Sequence, residues 1–108
     1  MNKKYLILIM ARKGSDDVIS RQNLRLVNNK PLLYYIVKTA LKFKKADVIV
    51  STDSEEIREL SLLYGAQYIK RPKKLTKNST SVKEICFDVL QKLQKEDIHY
   101  EKCLVLHP

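Results

Sequence analysis

Four apolar runs of strand length alternate with three segments of helical periodicity, and that alternation leaves few folds open to the chain. Residues 5–10 (YLILIM) are apolar throughout, the pattern of a strand covered on both faces. A second run spans residues 46–51 around Val48-Ile49-Val50, a third spans 66–69, and a fourth spans 102–107 (KCLVLH). Between the first two, Leu33, Ile36, Val37, Ala40 and Leu41 recur at helical spacing. Pro31 suits the first turn of that helix, and Lys38, Lys42, Lys44 and Lys45 favour the negative end of its dipole. Asp53 or Ser54 caps a second helix through Glu55, Glu56, Ile57, Leu60 and Tyr64, which Gly65 is placed to end. Ser79, Thr80 or Ser81 caps a third, with Glu84 in its first turn and Val82, Ile85, Cys86, Val89, Leu90 and Leu93 along one face as far as Glu96. Residues 24–27 add a short extended piece before the turn signal Asn28-Asn29.

Strands separated by helices pair in parallel through right-handed crossovers, so the expected architecture is a three-layer α/β sandwich with a mainly parallel sheet. In open sheets of this kind ligands gather outside the carboxyl ends of the strands. Residues 11–23, 51–53 and 70–81 lie there, and they hold most of the side chains able to do chemistry.

At 108 residues the chain suits one compact domain, and no apolar run approaches the ~18 residues of a membrane-spanning helix. The apolar run near the N-terminus is at the short limit of a signal-peptide core and lacks a small-residue cleavage site, so a cytoplasmic protein is expected. Two cysteines, Cys86 and Cys103, make neither a disulfide scaffold nor a zinc site, and both read as core positions. His99 reads as a surface residue, whereas His107 ends a strand at the ligand edge. The net charge of +9 is uneven: residues 1–50 carry eleven Lys or Arg against three Asp, and residues 51–108 carry ten against nine Asp or Glu. A basic N-terminal half points to an anionic partner, either a phosphorylated ligand or a nucleic acid. No nucleic-acid-binding motif accompanies it.

The first loop, Ala11-Arg12-Lys13-Gly14-Ser15, directly follows a strand, where backbone N–H groups and cations can hold a phosphate chain. With one glycine it is neither a Walker A motif nor GxGxxG, which disfavours a P-loop NTPase or a nicotinamide dehydrogenase. Arg12, Lys13, Arg21 and Arg25 are placed to neutralise a triphosphate, although a solvated basic loop has the same composition. Ser51-Thr52-Asp53 ends the second strand, where Asp53 can serve as a cap or hold a hydroxyl or a metal-bound water. Lys70-Arg71-Pro72 followed by Ser79-Thr80-Ser81 pairs a guanidinium with a hydroxyl-rich helix start.

These segments, taken in order, resemble the acylneuraminate cytidylyltransferases, the CMP-sialic acid synthetases and their legionaminate and pseudaminate relatives. Ala11-Arg12-Lys13-Gly14-Ser15 resembles an ARGGS-type opening, Asn23-Leu24-Arg25 resembles KN[IL]R, and Asn29-Lys30-Pro31-Leu32 resembles GKPL. Residues 48–57 match VIVSTDSEEI, Tyr64-Gly65-Ala66 matches YGA, and Arg71-Pro72 with Leu75 resembles RPxxL. Ser79-Thr80-Ser81 occupies the DTAS-type segment, and residues 104–108 resemble the start of LLQPTSPLR. The resemblance runs across the whole chain. It implies a GT-A-like, Rossmann-like nucleotidyltransferase fold and transfer of CMP from CTP to a nine-carbon acidic sugar, with release of pyrophosphate and help from Mg²⁺.

Carried over by position, the resemblance makes Arg12 and Arg21 the expected catalytic residues. Arg12, Lys13, Gly14 and Ser15 would lie at the CTP phosphates, Asn23 at the ribose, and Arg71, Ser79, Thr80 and Ser81 around the cytosine. The departures are local. The first loop is one residue longer than the family motif, Asp16-Asp17 stand where a basic residue is common, and Gln22 replaces a phosphate-contacting lysine, with Arg21 beside it. Two carboxylates near a triphosphate repel it unless they bind metal or point away. Asn29 replaces a glycine, Asn78 and Val82 replace an acidic and a hydroxyl residue, and His107 stands at the glutamine of QPTSP. The expected reading is therefore residues 1–108 as the N-terminal CTP-binding part of a cytidylyltransferase, lacking the sugar-binding and Mg²⁺-binding remainder and inactive alone. The alternative is a non-catalytic nucleotide-binding or interaction module derived from the same fold. The resemblance allows a homodimer for a complete enzyme and implies neither a membrane nor a specific nucleic acid as partner.

Overall fold

A computed structural model of the chain describes residues 3–11, 26–72 and 81–106. In chain order its elements are β1 (Tyr5–Met10), β2 (Leu26–Val27), β3 (Lys30–Pro31), α1 (Leu32–Leu41), β4 (Ala46–Thr52), α2 (Glu55–Leu63), β5 (Gln67–Lys70), α3 (Val82–Lys95) and β6 (Lys102–Leu106). Four strands form one sheet in the order β5-β4-β1-β6, and every pairing is parallel. β1 lies between β4 and β6, with Ile7 opposite Val48 on one side and Leu104 on the other.

The two faces of β1 organise two cores, as expected for an apolar strand buried on both sides. Ile7, Ile9 and Ala11, with Val48 and Val50 of β4, pack against Leu33, Val37 and Ala40 of α1 and Ile57 of α2. Leu6, Leu8 and Met10, with Ile49, pack against Ile85, Val89 and Leu93 of α3. Each such side chain taken fully out of water contributes about 1.5–3 kcal/mol. Because α1 and α2 cover one face and α3 the other, the chain leaves β1 on one side of the sheet and reaches β6 from the other. The order thus reverses between neighbouring strands β1 and β6, the kind of crevice where open α/β sheets bind ligands.

The three-layer parallel architecture agrees with the sequence reading, with local corrections. β5 begins one residue later than the expected 66–69, because Ala66 belongs to the stop signal of α2. There Gly65 has φ +101°, its N–H reaches the Leu62 carbonyl at 3.2 Å, and the Ala66 N–H reaches the Ser61 carbonyl at 2.9 Å. That is a Schellman ending, and it needs a residue at ease with positive φ. Pro31 is the N-cap of α1 rather than part of its first turn, since its ψ of 147° is extended. The expected extended piece at 24–27 is limited to Leu26–Val27 among the described residues, and it pairs antiparallel with β3 outside the main sheet. Asn28 and Asn29 join those strands with φ of 51° and 68°, a two-residue hairpin turn that Asn tolerates better than most residues. Val82 and Leu90, expected on the buried face of α3, are exposed at its flanks.

Candidate functional site

The carboxyl rim of the sheet is built around the end of β4. Ser51 and Thr52 are fully buried there, although both are polar, so their hydrogen bonds determine whether the rim holds together. The Ser51 carbonyl accepts the Ala11 N–H at 3.1 Å and Nη2 of Arg71, also at 3.1 Å. Nε of Arg71 donates to Oγ of Ser51 at 3.3 Å, while the Arg71 N–H continues the β-ladder to the Thr52 carbonyl at 2.9 Å. One carbonyl therefore joins three strand ends: β1 through Ala11, β4 through Ser51 itself, and β5 through Arg71. The Arg71 side chain is only 2% exposed, an unusual state for a cation. Ser51 is among the partners that hold its guanidinium, and the planar fork lets two N–H groups reach that one residue at once.

The next residues pass the rim into α2. Oγ1 of Thr52 accepts the Ser54 N–H at 3.1 Å, and Oγ of Ser54 accepts the Ile57 N–H at 3.3 Å. Ser54, not Asp53, is thus the cap of α2, with Glu55 and Glu56 in the first turn where the dipole favours negative charge. Asp53 remains at the rim beside them.

Ser81 caps α3 in a reciprocal arrangement. Its Oγ accepts the Glu84 N–H at 3.1 Å and donates to the Glu84 carboxylate at 3.2 Å, and the carboxylate also accepts the Ser81 N–H at 3.5 Å. The hydroxyl expected near a base is engaged in capping, so what this position offers a ligand is the start of the helix. Of the residues expected at the nucleotide, Arg71 and Ser81 are the two that fall within the described residues. Arg12, Lys13, Gly14, Ser15, Arg21, Asn23, Ser79 and Thr80 lie outside them, as do Asp16, Asp17, Gln22 and His107. His99 is exposed as expected, within 3.2 Å of Asp97. The Arg71–Ser51 clamp was missed, because only the pairing of Ser51 with Ile69 brings two residues twenty apart into reach.

Other features lie away from this rim. A cavity of about 490 Å³ opens at the amino ends of the strands, between Tyr5, Ile7, Phe43 and Leu104, with Lys42, Lys44, Lys45 and Lys102 around it. Also at that end, the Tyr100 hydroxyl donates to the Asp47 carboxylate at 2.8 Å. Burial, then the hydrogen bond and negative charge of Asp47, push the phenol well above its ordinary range. Among the described residues no helix is long and apolar enough to cross a membrane.

Comparison with known proteins gives this rim a context. The chain is 32% identical over 107 residues to the CMP-N,N'-diacetyllegionaminic acid synthase of Legionella pneumophila, covering 97% of this chain and 46% of that protein. It is 34% identical to the pseudaminic acid cytidylyltransferase of Campylobacter jejuni, covering 96% of this chain and 45% of the relative. It is 32% identical to the N-acylneuraminate cytidylyltransferase of Escherichia coli O18:K1:H7, covering all of this chain and 25% of the relative. The chain thus spans between a quarter and a half of the length of these relatives. A solved CMP:2-keto-3-deoxy-manno-octonic acid synthetase complexed with CTP superimposes with a TM-score of 0.74 at 21% identity, covering 97% of this chain and 40% of the other, which shows a shared fold. The family model described as cytidylyltransferase matches residues 6–103, and the chain belongs to that family.

Proposed function

We propose that this chain is the nucleotide-binding part of a cytidylyltransferase that transfers CMP from CTP to a sialic-acid-like nonulosonic acid. The observation that carries the reading is its match, over nearly its whole length, to relatives named for that chemistry on three different acidic sugars. The junction at Ser51 supports it. The clamp from Arg71 ends on the same carbonyl that anchors Ala11, the last described residue before the basic loop. Ala11 itself lies at the carboxyl end of β1, at the reversal between β1 and β6, where ligands of such sheets collect.

In this reading the anomeric hydroxyl oxygen of the sugar bonds to the α-phosphorus of CTP as the bond to the bridging oxygen breaks. Pyrophosphate leaves and the hydroxyl proton passes to solvent. The protein's task is to align the two reactants and offset charge spreading over the phosphates. Arg12, Lys13, Ser15 and the backbone at Gly14 would hold the phosphates, with Arg21 standing in for the lysine replaced by Gln22. Asn23 would hold the ribose. Arg71 would act by fixing the rim, and residues 79–81 would border the cytosine. Among the described residues no group of three or more His, Cys, Asp or Glu could hold a metal.

Calorimetric titration with CTP tests the reading. CTP is expected to bind more tightly than ATP or GTP, and Arg12→Ala to weaken it by about ten- to a hundredfold, since a charged hydrogen bond is worth roughly 1.5–3 kcal/mol. Absence of binding at millimolar CTP would overturn it. The second reading, a non-catalytic nucleotide-binding module, is favoured by Asp16, Asp17 and Gln22. It predicts CTP binding without pyrophosphate release when an acidic nine-carbon sugar is added to the complete gene product.

A further inference from the structure

Cys86 and Cys103 are the two cysteines of the chain, and the nucleotide reading uses neither. They come from different elements and lie on the same face of the sheet. Cys103, the second residue of β6, lies in register with Leu6 of β1, whose side chain belongs to the core under α3. Cys86 is the fifth residue of α3 and follows Ile85, one of the helix residues that fill this core. Both cysteines are half-buried against the same cluster, neither is in a disulfide, and each lies close enough to shift the other's proton affinity. Between them the chain completes α3, turns through Asp97 at φ 60° and enters β6.

We infer that Cys86 and Cys103 form a dithiol modification site that closes to an intramolecular disulfide between α3 and β6, with a low-molecular-weight disulfide as oxidant. The thiolate sulfur of one cysteine attacks a reagent sulfur; the reagent S–S bond breaks, one reagent thiol leaves and a mixed disulfide forms. The neighbouring cysteine then loses its proton and attacks the protein sulfur of that mixed disulfide, releasing the second reagent thiol. The two cysteines give up two electrons and two protons, and one reagent disulfide becomes two thiols. Burial raises both thiols, that of Cys103 to about 11, and this slows the first attack because the thiolate is the nucleophile. The second attack is intramolecular between groups packed against one cluster, so the mixed disulfide is consumed as it forms. The site does not depend on the nucleotide reading.

The test is to incubate the folded chain with oxidised glutathione, quench with acid, alkylate the remaining thiols, and record the intact mass and a peptide map. The expected product is a monomer lighter by two hydrogens, with the peptides carrying Cys86 and Cys103 joined and no thiol left to alkylate. Cys86→Ser and Cys103→Ser are each expected to retain one glutathione on the remaining cysteine. Two glutathione adducts on the unsubstituted chain, two unreacted thiols, or disulfide-linked dimers in place of the internal link would each overturn the proposal.

Discussion

Arg71 shows how one side chain can decide the form of a rim. A buried guanidinium is tolerable only when its N–H groups find acceptors, and Ser51 supplies both a hydroxyl and a carbonyl. Arg71→Met keeps most of the aliphatic stem but removes the fork. It is expected to lower stability by about 1–3 kcal/mol, the usual cost of leaving a buried polar group without its partner. Urea denaturation measures this directly, and an unchanged midpoint would mean that the guanidinium does not hold the strand ends together. Ser81 illustrates a different outcome at the same scale. Its residue type suited both a cap and a base contact, and the geometry commits its hydroxyl to the cap with Glu84.

Among the elements, ends differ more than middles. α2 has a side-chain cap at Ser54, two acidic residues in its first turn and a glycine stop, whereas α1 starts from Pro31 with no side-chain cap bond. Instead, Tyr35 of α1 donates its hydroxyl to the Val27 carbonyl at 2.6 Å, tying the helix to the small hairpin. The stop of α2 offers the clearer test. At Gly65 an added β-carbon would lie 3.4 Å from Cδ1 of Leu41, close to ordinary van der Waals contact, but at a positive φ that L-residues avoid. Gly65→Ala is expected to cost about 1–2 kcal/mol from the left-handed backbone alone. Thermal unfolding followed by circular dichroism checks it, with Lys44→Ala as an exposed control expected to change little.

For the molecule as a whole, the sheet formed by the described residues has an edge strand on each side, β5 and β6, and the β6 edge is the more apolar. Among the described residues β6 pairs only with β1, and Leu104 remains 52% exposed above it, beside the cavity at Phe43. An apolar edge strand with unpaired backbone groups invites association. Leu104→Lys is therefore expected to reduce aggregation while leaving the unfolding midpoint nearly unchanged, measured by light scattering and urea denaturation on the same preparation. A large loss of stability instead would show that Leu104 belongs to the core despite its exposure.

Element types and their order were legible along the chain because they rest on local chemistry. The period of the apolar residues, caps three residues ahead of an N–H, and a glycine where φ must turn positive all act within one helical turn or one strand. The same local reading placed Gly65, Ser54 among two choices for its helix, and both cysteines on apolar faces. It misplaced the start of β5 by one residue, since an apolar Ala66 suits a strand and a Schellman ending equally well. The Arg71 clamp, the joining of three strand ends at one carbonyl and the gathering of Cys86 and Cys103 against one cluster were beyond its reach. Each depends on which strands become neighbours and in what register, and residues far apart along the chain acquire a shared environment only when the sheet assembles.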